Sequence, residues 1–341
     1  MYKHVALFGG IGGFVVGASR LGWVTSYINE INDACVRTLN ESFGSSKVVP
    51  GDIKAIEPEP DDSRLKGIDV LTAGFPCQSF SKAGNNLGFD DPRGQVFFEI
   101  PKFINRLNEK PKVVVLENVG HLWTFDNGSR LSYVIHVLRN LGYWVSVKTC
   151  RLLNTLGHTP IPQRRERLFI VAAHRDWFRK NTIDYEDYIE ESPRSLYEFV
   201  DISTRAPSDH YIPETNRYGR MLRRERELKG GSRLYQVRRS SARACTEGIC
   251  PTLTANMGRG GHNVPFVADF WGFRRLTVTE CLRLQGFRFN DVAFPSDILE
   301  KDRYEMIGNA VTVDLATRVL RSVEETLLTN LYMQTKAIND V

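Results

Sequence analysis

The sequence predicts an α/β fold, a doubly wound domain on a parallel sheet followed by a smaller, irregular, β-rich domain. Two features carry that expectation. Between residues 4 and about 175, short apolar runs alternate with amphipathic segments, as strands joined by crossover helices do. Beyond residue 176 the alternation stops, prolines recur at 193, 207 and 213, and periodicity weakens. A length of 341 residues suits two domains, or one large unit with an insertion.

In chain order, strands are expected at 4–7, 24–28, 70–73, 113–116, 145–147 and 168–173. Several lack polar alternation, Val113-Val114-Val115-Leu116 most plainly, as strands buried on both faces do. Helical patterns fall at 33–43, 97–108 and 131–141, and again at 277–284 and 312–328. Residues 1–175 therefore form the first domain, and a second, smaller and irregular one begins at about 176. Residues 331–341 are a polar tail without a motif.

Composition excludes several classes. The chain is 42% hydrophobic and 25% charged, which is globular rather than disordered or fibrous. Its longest apolar run, 5–18, has five glycines in 14 residues, too short and too Gly-rich for a membrane span and too Gly-rich for a signal peptide. A soluble, cytoplasmic protein is expected. Six cysteines are scattered without a CxxC pair, so no metal site is read. Charge is uneven: between Arg217 and Arg243, nine arginines and Lys229 face only Glu225 and Glu227, a local +8 against +5 for the whole chain. Such a segment is an electrostatic footprint for phosphates, although RMLRRERELK could equally be a solvated helix face.

Chemistry concentrates where the strands end, since ligands of open α/β sheets bind beyond the carboxyl ends of the strands. The first strand runs into Phe8-Gly9-Gly10-Ile11-Gly12-Gly13 and then a helical stretch, with Glu30 at the end of the second strand. Glycines let a backbone approach a ligand at a helix start, and such an acid accepts from ribose hydroxyls. The turn alone does not distinguish NAD from S-adenosylmethionine. The third strand leads into Gly74-Phe75-Pro76-Cys77-Gln78-Ser79, the fourth ends at Glu117-Asn118-Val119, and Gln163-Arg164-Arg165-Glu166-Arg167 precedes the last. Taken singly, these are a packed cysteine, a capping acid and a solvated charge run. Together they are a nucleophile, an acid and cations at one crevice.

These blocks recur in order with Arg275-Leu276-Thr277, Glu280, Gln285-Gly286-Phe287 and Gly308-Asn309-Ala310-Val311. The series resembles that of the DNA (cytosine-5) methyltransferases and covers residues 4 to about 325. The resemblance implies a Rossmann-like domain that binds S-adenosylmethionine, interrupted by an inserted target-recognition domain at 176–290 and resumed at 291–330, with double-stranded DNA as partner. It implies that Cys77 adds to cytosine C6, that Glu117 assists at N3 and that Arg167 contacts O2, with Asn118 and Arg165 in the same catalytic group. Phe8, Gly10, Gly12, Glu30, Asp52, Ile53, Pro76 and Asn309 map to the cofactor site. Gln78, Ser81, Arg238, Arg239, Thr252 and Thr254 map to DNA contacts, beside a glycine loop at 258–261. It further implies a monomer that acts apart from a cognate restriction endonuclease. One position departs: the family usually carries an acid two residues before the loop phenylalanine, where this chain has Ala6.

Three rivals remain. An NAD-dependent oxidoreductase leaves the basic segment and Arg167 without work. A non-catalytic DNA-binding module does not need Cys77, Glu117 and Arg167 together. The tRNA-methylating branch of the family shows Pro-Pro-Cys and Cys-Phe-Thr, whereas this chain has Phe75-Pro76-Cys77 and lacks Cys-Phe-Thr.

Overall fold

The computed structural model describes residues 1–59, 61–76, 94–179, 191–230, 232–246, 248–259 and 263–339. The chain divides into two compact units, 1–153 with 166–189 and 315–341, and 154–165 with 190–314.

The first unit is built on a sheet of β1 (Lys3–Leu7), β2 (Val24–Glu30), β3 (Val48–Pro50), β4 (Val70–Gly74), β5 (Val113–Val119), β6 (Tyr143–Trp144), β7 (Cys150–Asn154) and, after β8 (Gln163–Arg164) of the other unit, β9 (Glu166–His174). The strand order is β3-β2-β1-β4-β5-β9-β6, with β7 also pairing with β9. β1 to β5 run parallel, with α1 (Gly13–Arg20), α2 (Asp33–Phe43) and α3 (Glu99–Arg106) between them, and α4 (Ser129–Asn140) follows β5. Val113, Val114, Val115 and Leu116 are each fully buried, as their unbroken apolar run requires. Each such side chain contributes about 1.5–3 kcal/mol of transfer free energy.

Two expectations are corrected. The strand at 168–173 exists, as β9, but it lies antiparallel to β5, with Val119 opposite Arg167. An apolar run buried on both faces carries no sign of direction. Residues 145–147 are not a strand; the edge strand is β6, and Val147–Thr149 is a 3-10 turn under a capping box of Ser146 and Thr149.

The second unit contains β8, α5 (Thr155–His158), α6 (Arg217–Lys229) and an antiparallel sheet ordered β11-β10-β13-β14. These strands are β10 (Leu234–Val237), β11 (Ala242–Ala244), β13 (Val264–Ala268) and β14 (Phe273–Arg275), while β12 (Cys250–Pro251) pairs with β8. RMLRRERELK is helical, within α6, and LYQV is extended, as β10. Behind the sheet, Arg274 is 1% exposed and paired with Asp269 and Glu280, both at 2.9 Å. α7 (Val278–Leu284) and α8 (Glu300–Asn309) also belong here, with Arg259 paired to Asp302 at 3.2 Å and Glu305 at 2.7 Å. The insertion thus extends past residue 290 to 314, and the return begins at 315 within α9 (Val313–Asn339), which runs through residues read as a tail.

One core group gives a pH prediction. His4 in β1 is fully buried, its ring nitrogens each 2.8 Å from a hydroxyl, Thr25 on one side and Thr72 on the other. Burial pulls its imidazole down to about 3, against about 6.5 in an unfolded chain. Below pH 6.5 the unfolded chain therefore takes up a proton that the native state refuses, so stability falls as pH falls and is level above pH 7. By pH 5 the loss from this residue is about 2 kcal/mol. Urea unfolding should show the advantage of the native protein over His4→Gln shrinking by that amount between pH 7.5 and 5. A constant difference would overturn it.

Candidate active site

The glycine turn after β1 is built for close approach. Phe8 and Gly10 both have φ +56° and Gly12 has φ +90°. For a phenylalanine that conformation costs on the order of 1 kcal/mol or more, a strain that collects at binding sites. A Cβ on Gly9 would stand 2.6 Å from Ile28 Cγ2 and one on Gly12 2.5 Å from Phe43 Cε2, whereas one on Gly10 would meet nothing within 4 Å. The turn is therefore closed toward the protein and open at Gly10. Glu30, at the end of β2, accepts the Gly10 amide at 2.7 Å and those of Ile31 and Asn32 at 2.9 and 2.8 Å. Asp52 caps the turn after β3 through the Lys54 amide at 3.0 Å, and Gly51 N–H reaches the Glu30 carbonyl at 2.9 Å. Ile53 turns its side chain into the core. Ala6 is buried beside Val15 and Ile28, a small residue in a packed strand.

At the next strand ends, Gly74 of β4 is opposite Glu117 of β5. Glu117 Oε1 lies 2.8 Å from Arg167 Nε, with both side chains largely buried. The antiparallel direction of β9 makes this pair: it brings the start of β9 to the carboxyl end of β5, where a parallel strand would have put Arg167 at the far end. Asn118 Nδ2 donates to the Phe75 carbonyl at 3.2 Å, holding the chain after β4 in place next to exposed Pro76. No sequence signal announced this contact. Cys77, Gln78 and Ser81 lie outside the described residues.

Burial raises four other thiols: Cys150 to about 12, Cys245 to about 11, and Cys250 and Cys281 well above their ordinary value. The thiolate is the attacking form, so these four are poor nucleophiles.

In the second unit, Arg238 and Arg239 are exposed on the turn between β10 and β11, closed by Arg238 N–H to the Ser241 carbonyl at 2.7 Å. Arg217 of α6 donates to the Arg239 carbonyl at 2.7 Å. Thr252 and Thr254 spend their hydroxyls internally, on the Arg164 carbonyl at 2.5 Å and Asn256 Oδ1 at 2.6 Å. Of the glycine loop, Gly258 packs on Lys301 and Tyr304, while 260 and 261 fall outside the described residues. Arg165 is 1% exposed and donates to the backbone carbonyls of Leu253, Gly308 and Ala310. Asn309, exposed, is the last residue of α8. Among the described residues no helix is long and apolar enough to cross a membrane.

A glycine turn with an acid on the neighbouring strand, and a carboxyl–guanidinium pair at the next strand end, define an α/β group-transfer enzyme of the Rossmann-like kind. The pattern of the C-5 cytosine-specific DNA methylases matches residues 2–325, and the chain belongs to that family. Its activity is cytosine C5 methylation of DNA. It is 33% identical to the type II methyltransferase M.Bsp6I of Bacillus sp. (strain RFL6), over 96% of this chain and all of that one. It is also 33% identical to M.NgoBI of Neisseria gonorrhoeae, over 95% and 94% of the two chains. Its fold matches the Entamoeba histolytica methyltransferase EhMeth with a TM-score of 0.74 at 15% identity, over 96% and 99% of the chains. The family implies S-adenosylmethionine as methyl donor. The open cradle at Gly10 beside the Glu30 carboxyl fits a ribose-bearing group of that kind.

Proposed function

We propose that the protein methylates cytosine within one specific sequence of double-stranded DNA, through a flipped-out base and a covalent bond between Cys77 Sγ and cytosine C6. The pairing of Glu117 with Arg167 at 2.8 Å carries this reading, because N3 and O2 are adjacent on the pyrimidine edge and ask for an acid and a cation side by side. Cytosine C5 is a weak nucleophile. When the Cys77 thiolate adds to C6, the C5–C6 π pair moves to C5, with a proton or hydrogen bond at N3 from Glu117 and a donor at O2 from Arg167. S-adenosylmethionine, when bound, supplies an electrophilic methyl group. Loss of the C5 proton to a base then returns the electron pair to the ring and expels Cys77. The reacting atoms are hidden in a duplex stack, so the base has to leave it.

Phe8, Gly10, Gly12, Glu30, Asp52, Ile53, Pro76 and Asn309 would hold the cofactor, Glu30 at the ribose and Asp52 at the adenine amino group. Gln78, Ser81, Thr252, Thr254 and the arginine turn would meet DNA. The type II names of the relatives support a further reading, that the protein protects DNA from a restriction endonuclease acting separately; we propose that it does so as a cytoplasmic monomer. Bisulfite sequencing of DNA from cells expressing the protein tests activity and sequence together; unconverted cytosines should fall at one short motif. Conversion of every cytosine would refute the reading.

The arginine turn gives a measurable expectation. Replacing Arg238 and Arg239 with alanine should lower the slope of log affinity against log salt by about 1.8, about 0.9 for each lost phosphate contact. Loss should be equal on target and unrelated duplexes, since phosphates carry no sequence. An unchanged slope removes both residues from the phosphate contacts.

A further inference from the structure

We infer that Arg165 is a positioning residue that locks segment 252–254 to segment 308–310, so that one buried guanidinium sets both the Thr-Leu-Thr stretch and Asn309. The inference rests on the reading that Asn309 borders the cofactor and that 252–254 lies on the DNA side.

The lock follows from how α8 ends. The last carbonyls of a helix have no partner within it. Here Gln285 Nε2 takes the Ile307 carbonyl at 2.7 Å, and Arg165 Nη2 takes those of Gly308 and Ala310 at 3.0 and 2.7 Å. A cation at that end also suits the helix dipole. The two carbonyls gripped by Arg165 are those on either side of Asn309, which leaves the Asn309 side chain exposed between them.

The other arm of the same guanidinium, Nη1, donates to the Leu253 carbonyl at 2.9 Å, while Leu253 N–H donates to Gln163 Oε1 at 3.0 Å. Both backbone groups of Leu253 are thus held by one Gln-x-Arg pair, whose intervening Arg164 faces outward. The segments also touch directly. A Cβ on Gly308 would lie 2.4 Å from the Thr254 carbonyl carbon and 2.5 Å from the Ala255 nitrogen, backbone atoms that cannot step aside. Only a rigid, forked donor set spans three carbonyls in this way; a lysine offers a single point of charge. A shift of 252–254 is therefore passed to the end of α8.

The experiment uses the full chain. Arg165→Lys should raise amide hydrogen exchange in 252–254 and in 307–310 together. It should weaken binding of S-adenosylhomocysteine, measured by calorimetry, about tenfold, the worth of one lost charge-assisted hydrogen bond. Turnover at saturating cofactor should stay within about threefold, a split between KM and kcat that general destabilisation does not produce. Gly308→Ala keeps Arg165 but separates the segments, so it should give the same pattern and serves if Arg165→Lys does not fold. Faster exchange in one segment only, or unmoved S-adenosylhomocysteine affinity, overturns the lock. Asn309→Ala separates the premises: native S-adenosylhomocysteine affinity in that variant would take Asn309 from the cofactor site, and paired exchange alone would then decide.

Discussion

DNA with 5-fluorocytosine at the target position is expected to become covalently attached to this protein, in a denaturation-resistant complex that forms only with S-adenosylmethionine. The expectation follows from the electron count. Addition of Cys77 Sγ to C6 places an electron pair on C5, and that carbon then accepts the methyl group. Release of the enzyme requires C5 to give up its remaining substituent without its bonding electrons. Hydrogen leaves as a proton; fluorine has no such exit, and the C6–S bond persists. Cys77→Ala should form no adduct and lose methylation by at least about 10⁴-fold, the scale on which removal of a covalent nucleophile acts. It should still bind the duplex, because phosphate contacts do not involve the thiol. Cofactor-dependent trapping by Cys77→Ala would end the nucleophile assignment. Cys245 would not explain such trapping, since burial holds its thiol up at about 11.

Much of this arrangement is legible in the residues alone. Unbroken apolar runs such as 113–116 mark strands covered on both faces, and the blocks after them mark where ligands arrive. Glu30 and the Gly10 turn, read as neighbours from spacing, do meet, at 2.7 Å. What sequence does not hold is direction. Nothing in Leu168 to Ala173 says that β9 runs against β5, yet only that orientation sets Arg167 beside Glu117. Burial within a charged run is equally hidden. In Gln163-Arg164-Arg165-Glu166-Arg167, alternation places Gln163 and Arg165 inside and Arg164 and Glu166 outside, but a run of charges looks the same whichever residues turn inward. The helix α8 escaped notice for a related reason: its buried Tyr304, Met306 and Ile307 sit among charged residues that mask its apolar side. The boundary at 290 misses for the same reason, because α8, unseen in the sequence, packs with the second unit.

The pair of Glu117 and Arg167 should be tested as a pair. Glu117→Gln keeps the shape of the side chain but has no proton of the right acidity to place at N3, so adduct formation on 5-fluorocytosine DNA should slow by about 10²–10⁴-fold. Arg167→Ala should slow it on the order of 10²-fold or more, by analogy with removal of one donor from a site of developing charge. Each loss is chemical, so DNA affinity should change little beside it. The two effects are not expected to multiply. At 2.8 Å, Arg167 Nε fixes the Glu117 carboxyl, and Gly74 leaves the other oxygen uncrowded, a Cβ there standing 3.5 Å away. Once Arg167 is gone the carboxyl is no longer held in register with the ring, and its further change to an amide should cost much less than in the native background. Single-turnover trapping on denaturing gels, for the native protein, both single variants and the double, measures that coupling. Rates that multiply independently would show that the contact is incidental and that the two residues reach the base separately. A native rate in Glu117→Gln would leave the N3 proton to some other group and take the acid role from β5.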